Sequence, residues 1–370
     1  MCLKERAWIE VDLDNLKWNV LQIKKILHQN TKIMAVVKAN AYGHGIRVVI
    51  PELIKVGIHD FAVATLSEAI ELRKLMAEGT ILILGYTLPE KAYLLEKFKL
   101  TQSIIDFHYA QKLELQKMSI DVHIAINTGM NRIGINCNEK GQIMKIVKSK
   151  CLNVTGIYSH LCVADSFSSD DVEFTKFQIS KFMQLNSWLK ANGYNVPIHI
   201  QSSYGIINYS HLECDYVRPG IILYGCYSDN TKGSMELKPV LSLKSRVIEI
   251  RSVDNGQSVG YGRAYKIEGK KQVAVIAIGY ADGVPRNINY ADVLIRGKRF
   301  RIIGRICMDQ LMVELEENCD MEIGDEAVLI GKSGNEEISV EDFSFNCDTI
   351  SNEILSRMGN RLPRIIKNEF

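Results

Sequence analysis

Residues Thr31–Gly45 read TKIMAVVKANAYGHG, and the fold turns on what this stretch is. Ile33–Val37 form an unbroken apolar run rich in β-branched side chains, the pattern of a strand covered on both faces. Lys38 ends the run, and a loop of Asn, Tyr, His and two glycines follows. A lysine at a strand tip ordinarily snorkels to solvent. Whether this one does depends on what the rest of the chain places beside it.

Outward from that strand the same unit repeats. Apolar β-rich runs stand at Ile33–Val37, Phe61–Ala64, Ile81–Leu84, Ser103–Ile105, Val122–Ile126, Val154–Tyr158, Pro197–Ile200 and Tyr216–Arg218. Helix-length segments such as SEAIELRKLMAEG and VEFTKFQISKFMQLNSWLKANG lie between them, the second ending at the helix stop Asn192-Gly193. Eight β/α units predict a (β/α)8 TIM-type barrel. An open doubly wound sheet is the alternative, resting on the weakness of the short fourth strand. Beyond Gly225 the texture changes to strands separated by turn signals such as Asp-Asn-Gly, with VEDF and TISNEILSRMG the helical segments near the end. The expected class is therefore α/β: a barrel over residues 9–232 and a C-terminal, mostly antiparallel β domain over 233–370. Residues 1–8 are expected to add a strand to the C-terminal sheet.

Bulk composition excludes several functions. The 370 residues carry a net charge of +2, with 46% hydrophobic and 24% charged residues, and no Lys/Arg block long enough for a nucleic-acid or membrane patch. Nine cysteines, odd in number and without C-x-x-C spacing, argue against a disulfide framework or structural zinc and for a reducing cytoplasm. No apolar run reaches the length of a membrane span, so no membrane contact is expected from this chain itself. Its start at the fold is compatible with a free cytoplasmic protein or with the cytosolic domain of a membrane-anchored one.

Barrel chemistry comes from the C-terminal ends of strands and the loops after them. Lys38 and Tyr42 follow strand one, Arg132 (in NTGMNRIG) follows strand five, and His160 (in GIYSHL) ends strand six. Ser202 and Ser203 follow strand seven, and Arg218, then Gly220 and Ile221, end strand eight. Each alone has a structural explanation; their convergence on one rim does not. A seryl loop and a Gly-Ile backbone after strands seven and eight occupy the usual phosphate site of barrels. A phosphate site facing an enclosed lysine suggests pyridoxal 5′-phosphate, held as a Schiff base on Lys38. Desolvation would lower the amine's pKa, as such chemistry requires. No metal site is expected: Asp282, Asp309 and His211 stand alone and are read as structural.

These residues resemble a known family. AVVKANAYGHG at Ala35–Gly45 is similar to the cofactor-lysine motif of the alanine racemases, and the similarity continues through NTGMNRIG, RPGIILYG, VGYGRAY, IGYADGVPR and GRICMDQ. The resemblance implies a pyridoxal phosphate enzyme that works as a head-to-tail homodimer with shared active sites. It implies that Lys38 is the Schiff-base lysine and one of two bases. Tyr42, Ser203, Gly220 and Ile221 would bind phosphate. Arg218 would face the pyridine nitrogen, and Arg132 the cofactor's phenolic oxygen and the substrate carboxylate. His160 would be linked to the second base, Tyr261, reaching in from the other subunit. Tyr280 and Met308 match substrate-entry and carboxylate-binding positions, with Asp309 beside Met308. A phenol is a poor base without help, and His160 and Arg218 are its expected helpers. An arginine does not readily yield its proton to the pyridine nitrogen, which favours reprotonation at Cα over transamination.

Two positions depart from the family pattern. Asn352 stands where alanine racemases usually carry a phosphate-contacting tyrosine. A carboxamide opens space beside a substrate methyl and offers a donor and an acceptor to a hydroxyl. In this the chain resembles the serine racemases of vancomycin-resistance systems, whose product enters cell-wall precursors ending in D-Ala–D-Ser. The resemblance thus implies racemisation of L-serine and L-alanine, with a biosynthetic alanine racemase as the alternative. Ala125 stands where many relatives carry a carbamylated lysine that orients the arginine; Asn127 or a bound anion is expected to hold Arg132 instead. From other classes, a non-catalytic pyridoxal phosphate carrier would lack a β domain supplying Tyr261, and a barrel decarboxylase would show a separate acidic site for a cationic side chain.

Overall fold

The computed structural model describes residues 5–76, 78–229, 233–286, 288, 291–316 and 319–367. The expected limits at Met1, after Lys232 and at Phe370 fall on or beside positions outside the described residues. The chain forms two compact units: Val20–Asn40 with Ile50–Leu223, and Met1–Asn19 with Ala41–Val49 and Tyr224–Phe370.

In the first unit all eight expected strands form. They are Lys32–Val36, Asp60–Val63, Ile81–Ile83, Thr101–Ile104, Ile120–Asn127, Leu152–Tyr158, Ile198–His199 and Tyr216–Val217. They pair in parallel in that order, and the eighth pairs with the first. A bridge between Ser202 and Arg218 joins the seventh to the eighth and closes the barrel, which removes the open-sheet alternative. Burial explains the sequence signal: Ile33–Val37 are all buried. The long helix Ser169–Ala191 starts at the N-cap Ser168 and stops at Asn192, followed by Gly193 with φ 85°.

The second unit is a nine-stranded, mostly antiparallel sheet. Ala7–Val11 enters it as expected, antiparallel to Leu241–Val253 and parallel to Arg364–Ile366. Two short helices, Val340–Asn346 and Ser351–Ser356, lie near its C-terminal end. Wholly buried Asp282 accepts two hydrogen bonds from the Arg6 guanidinium, at 3.0 and 2.6 Å, and one from the Gly279 amide, a structural role as the sequence suggested.

Candidate active site

The segment after the first barrel strand is not a loop. Lys38–Tyr42 is one helical turn, and Ala39, Asn40, Ala41 and Tyr42 hold φ of 52°, 54°, 55° and 50°. The turn is left-handed, without a glycine. Such a conformation costs about 1–2 kcal/mol per residue and persists only where its surroundings over-determine it. At its start the Ala39 amide donates to Glu68 Oε1 (2.7 Å), while Glu68 Oε2 accepts from the Ala64 and Thr65 amides and closes a capping box with Thr65. At its end His44 Nδ1 donates to the carbonyls of Ala41 (2.9 Å) and Tyr42 (2.8 Å). Two carbonyl partners fix the proton on Nδ1. Tyr224 packs against both the His44 ring (4.4 Å) and the Tyr42 ring (5.0 Å). Gly43 follows at φ 78°, and a Cβ there would meet Leu355 O at 2.1 Å, so only glycine fits.

Lys38, opening this turn, is half-buried. Burial and then the positive charge of Arg132 lower its pKa, with Glu68 opposing. Burial of Tyr42 pushes its phenol up to about 12, so it keeps its proton and can act as a donor.

Arg218, 3% exposed, is the hub of the barrel's carboxyl end. Its Nη1 donates to His199 Nδ1 (2.7 Å), and its Nη2 to Ser159 O (2.7 Å), His160 Nδ1 (3.3 Å) and Ile200 O (3.4 Å). Its guanidinium lies over the Tyr158 ring at 5.2 Å. Burial draws its pKa down to about 10, which leaves it charged at neutral pH. His160 must accept from this permanent donor, so its proton sits on Nε2. Burial, then Arg218, Arg132 and Lys38, push its pKa down to about 3. Four of the expected residues thus act on one another electrostatically. Ser203 Oγ accepts from the Gly220 amide at 3.0 Å, and with Ile221, which follows at once, these groups are buried. With its oxygen accepting from Gly220, the Ser203 hydroxyl keeps its own hydrogen free to donate to a phosphate oxygen.

Arg132 is exposed after the fifth strand. The expectation that Asn127 holds it is corrected. Asn127 Oδ1 accepts from the Gly129 and Asn131 amides, and its Nδ2 donates to Asn131 (2.9 Å) and Asn136 (3.0 Å), so its carboxamide folds the loop. The sequence reading also passed over Gln178. From the long helix this buried side chain donates to His160 O (3.1 Å) and Thr128 Oγ1 (3.2 Å) and fixes the backbone that carries His160.

In the second unit Tyr280 and Met308 are brought together: the Tyr280 amide donates to Cys307 O and the Ala281 amide to Met308 O, both at 3.0 Å. Asp309 pairs with Arg361 at 2.7 Å. Tyr261 is 63% exposed on a turn between Gly260 and Gly262, both at positive φ. Asn352 Oδ1 is buried with no hydrogen-bond partner. Among the described residues, no three His, Cys, Asp or Glu side chains gather as a metal-ligand set.

Buried neutral histidines make the fold acid-sensitive. His44 has its pKa pushed down to about 4 by burial, and His123 to about 3 by burial and Arg218. The unfolded chain binds protons near pH 6.5 that the folded chain refuses, so stability is full above 6.5 and falls as pH drops towards 4. Each such imidazole removes about 2 kcal/mol between pH 6.5 and 5. Urea unfolding midpoints at pH 7.5 and 5.0 check this; equal midpoints would contradict it.

Comparison with known proteins agrees with this geometry. The family model described as the alanine racemase N-terminal domain matches residues 11–228, and that of the C-terminal domain matches residues 240–366. The chain belongs to the alanine racemase family. Alanine racemases depend on pyridoxal 5′-phosphate, and the Lys38 amine, the Ser203 hydroxyl oriented by Gly220 and the charged Arg218 fit that group. An alanine racemase structure from Clostridium difficile 630 superposes with a TM-score of 0.91 at 35% identity, covering 98% of this chain and 96% of that one. An amino-acid racemase of Enterococcus faecalis is 42% identical over 97% of this chain but 51% of its own length. A serine/alanine racemase of Enterococcus gallinarum is 39% identical over 98% of this chain and 52% of its own. The chain thus spans about half the length of these two Enterococcus relatives. Among the described residues, no helix is long and apolar enough to cross a membrane.

Proposed function

We propose that this chain interconverts the L- and D-forms of serine and alanine by a two-base mechanism, as a homodimer whose active sites are shared across the interface. The observation that carries the racemase reading is Arg218, a buried guanidinium held by two imidazoles and two carbonyl groups, one of those imidazoles, His160, also feeling the charge of Lys38. When bound, pyridoxal 5′-phosphate acidifies the Cα proton of an attached amino acid by withdrawing electrons. The residues do the rest. Ser203, Gly220, Ile221 and Tyr42 would hold the phosphate, with protonated Tyr42 as a donor. Arg218 would stand toward the pyridine nitrogen and keep its own proton, which limits electron withdrawal and favours return of a proton to Cα. Arg132 would bind the substrate carboxylate, and Tyr280 and Met308 would line its approach. Lys38 would move the Cα proton on one face and Tyr261 of a second copy on the other. His160, its proton held on Nε2 by Arg218, can donate to that phenol and stabilise its ionised form.

Serine turnover is supported by Asn352, whose buried, unpartnered Oδ1 is an acceptor suited to a hydroxyl, and by similarity to the Enterococcus gallinarum serine/alanine racemase. An apolar pocket rejects an added hydroxyl only weakly, by about a hundredfold at most, so both amino acids are expected as substrates. The product would enter cell-wall precursors, of the D-Ala–D-Ser type where vancomycin resistance is served. Asn352→Tyr is expected to lower the serine-to-alanine ratio of kcat/KM by about tenfold, the worth of one well-made hydrogen bond. Both constants are read from D-amino acid formation. An unchanged ratio would favour a biosynthetic alanine racemase, a reading also supported by the full-length match to the Clostridium difficile enzyme.

A further inference from the structure

Behind Arg218 the barrel interior holds two histidines to which the proposed reaction gives no role. His199 is wholly buried on the seventh strand, and His123, 2% exposed, lies on the fifth. His199 Nδ1 faces Arg218 Nη1 at 2.7 Å, and His199 Nε2 faces His123 Nδ1 at 2.9 Å. Arginine has only donors, so the chain of protons has one solution. Arg218 donates to His199 Nδ1, His199 donates from Nε2 to His123 Nδ1, and His123 carries its proton on Nε2. Both rings are neutral, since burial and the charge of Arg218 push their pKa values far down. The backbone is shaped around this arrangement. Register shifts between Val122 and His123, so that Val122 faces Val154 and His123 faces Gly156, and the bulge re-aims the strand. A Cβ on Gly156 would meet the His123 ring at 2.7 Å from Nε2. Tyr158 stacks on His199 at 5.0 Å, and its hydroxyl donates to Ser103.

We propose that His123 is a positioning residue: Arg218 sets the tautomer of His199, and His123, by accepting from His199 Nε2, fixes the orientation of that ring and so the orientation in which Arg218 is held. Without that acceptor, His199 buries an unpaired Nε2–H and gains by turning its ring, which weakens or removes the acceptor at Arg218 Nη1. The inference extends the racemase reading to a residue two side chains behind Arg218, and its consequence for turnover rests on that reading. Its consequence for the imidazoles does not.

The test uses the full chain. Nitrogen-15 NMR of the cofactor-free protein at neutral pH is expected to show His199 with Nδ1 unprotonated and Nε2 protonated. In His123→Gln, whose amide oxygen overlays the Nε2 position, the His199 signals are expected to shift or split. In His123→Asn, whose oxygen overlays Nδ1, they are expected to stay. In the cofactor-loaded protein, His123→Gln is expected to lower kcat about tenfold with KM within about twofold. It should also raise the fraction of cofactor converted to its pyridoxamine form per racemisation event, and His123→Asn should restore both. His199 signals unaffected by His123→Gln, or equal impairment by the two variants, would overturn the proposal. A shift or splitting of the His199 signals in His123→Gln alone, with no racemase activity in any variant, wild type included, would support the inference and remove the racemase reading.

Discussion

Lys38→Ala is expected to abolish racemisation, with a fall on the order of 10⁴-fold or more, because one side chain is proposed to supply both the amine that anchors the cofactor and one of two bases. The variant is also expected to lose the visible colour of cofactor bound in covalent linkage. Stability should hardly suffer. Lys38 is half-buried and its pKa is lowered first by desolvation and then by Arg132, so the folded chain already works against its charge. Removing it relieves that opposition, and Glu68, the carboxylate that favours its charge, keeps its bonds to the Ala39, Ala64 and Thr65 amides. Three measurements separate the outcomes: the melting temperature, the absorption spectrum with cofactor added, and D-amino acid formation. A variant that melts like wild type, stays colourless and is inactive is the expected result. One that still interconverts enantiomers removes Lys38 from the chemistry and the mechanism with it.

The barrel was legible because its strands are buried on both faces, which leaves apolar runs that stand out even without partners. The faintest, Thr101–Ile104, was faint for a physical reason: Gln102 and Ser103 are polar yet buried, the Gln102 amide nitrogen donating to Gly85 O at 2.7 Å and Ser103 accepting from the Tyr158 hydroxyl at 3.0 Å. The left-handed turn was not legible. Nothing at positions 39–42 announces positive φ, and its clamps at Glu68 and His44 act through hydrogen bonds that only the fold brings into register. The fold likewise gathers strand-end residues whose positions were readable, yet Arg218's partner His199 was missed. An isolated histidine in PIHI or VHIAIN looks like any satisfied core residue, and only the barrel's closure joins the two into one chain. Asn127 shows the opposite error, where proximity in sequence suggested a role that its own loop pre-empts.

Tyr261→Phe removes only a hydroxyl, and racemisation is expected to fall by about 10²–10⁴-fold, the usual contribution of one acid–base group. The side chain is 63% exposed on a turn where Gly260 and Gly262 take φ of 72° and 69°, so folding and cofactor absorption should be unchanged. Because the two bases are proposed to serve opposite faces, the loss should be one-sided. In heavy water, one enantiomer of serine or alanine should still exchange its Cα proton through Lys38, with retention, while the other stops. Equal losses for both enantiomers would deny Tyr261 a face of its own. Mixing the two variants then decides which chain supplies the phenol. If Tyr261 acts in the partner's barrel, a mixed dimer of Lys38→Ala and Tyr261→Phe chains contains one site with both bases intact. Random pairing then restores about a quarter of wild-type activity from two inactive proteins. If Tyr261 acts in its own barrel, every site in the mixture lacks one base and nothing is restored. The exposure of the phenol in a single chain favours the first outcome, since a base that waits in solvent needs a second surface to give it a substrate.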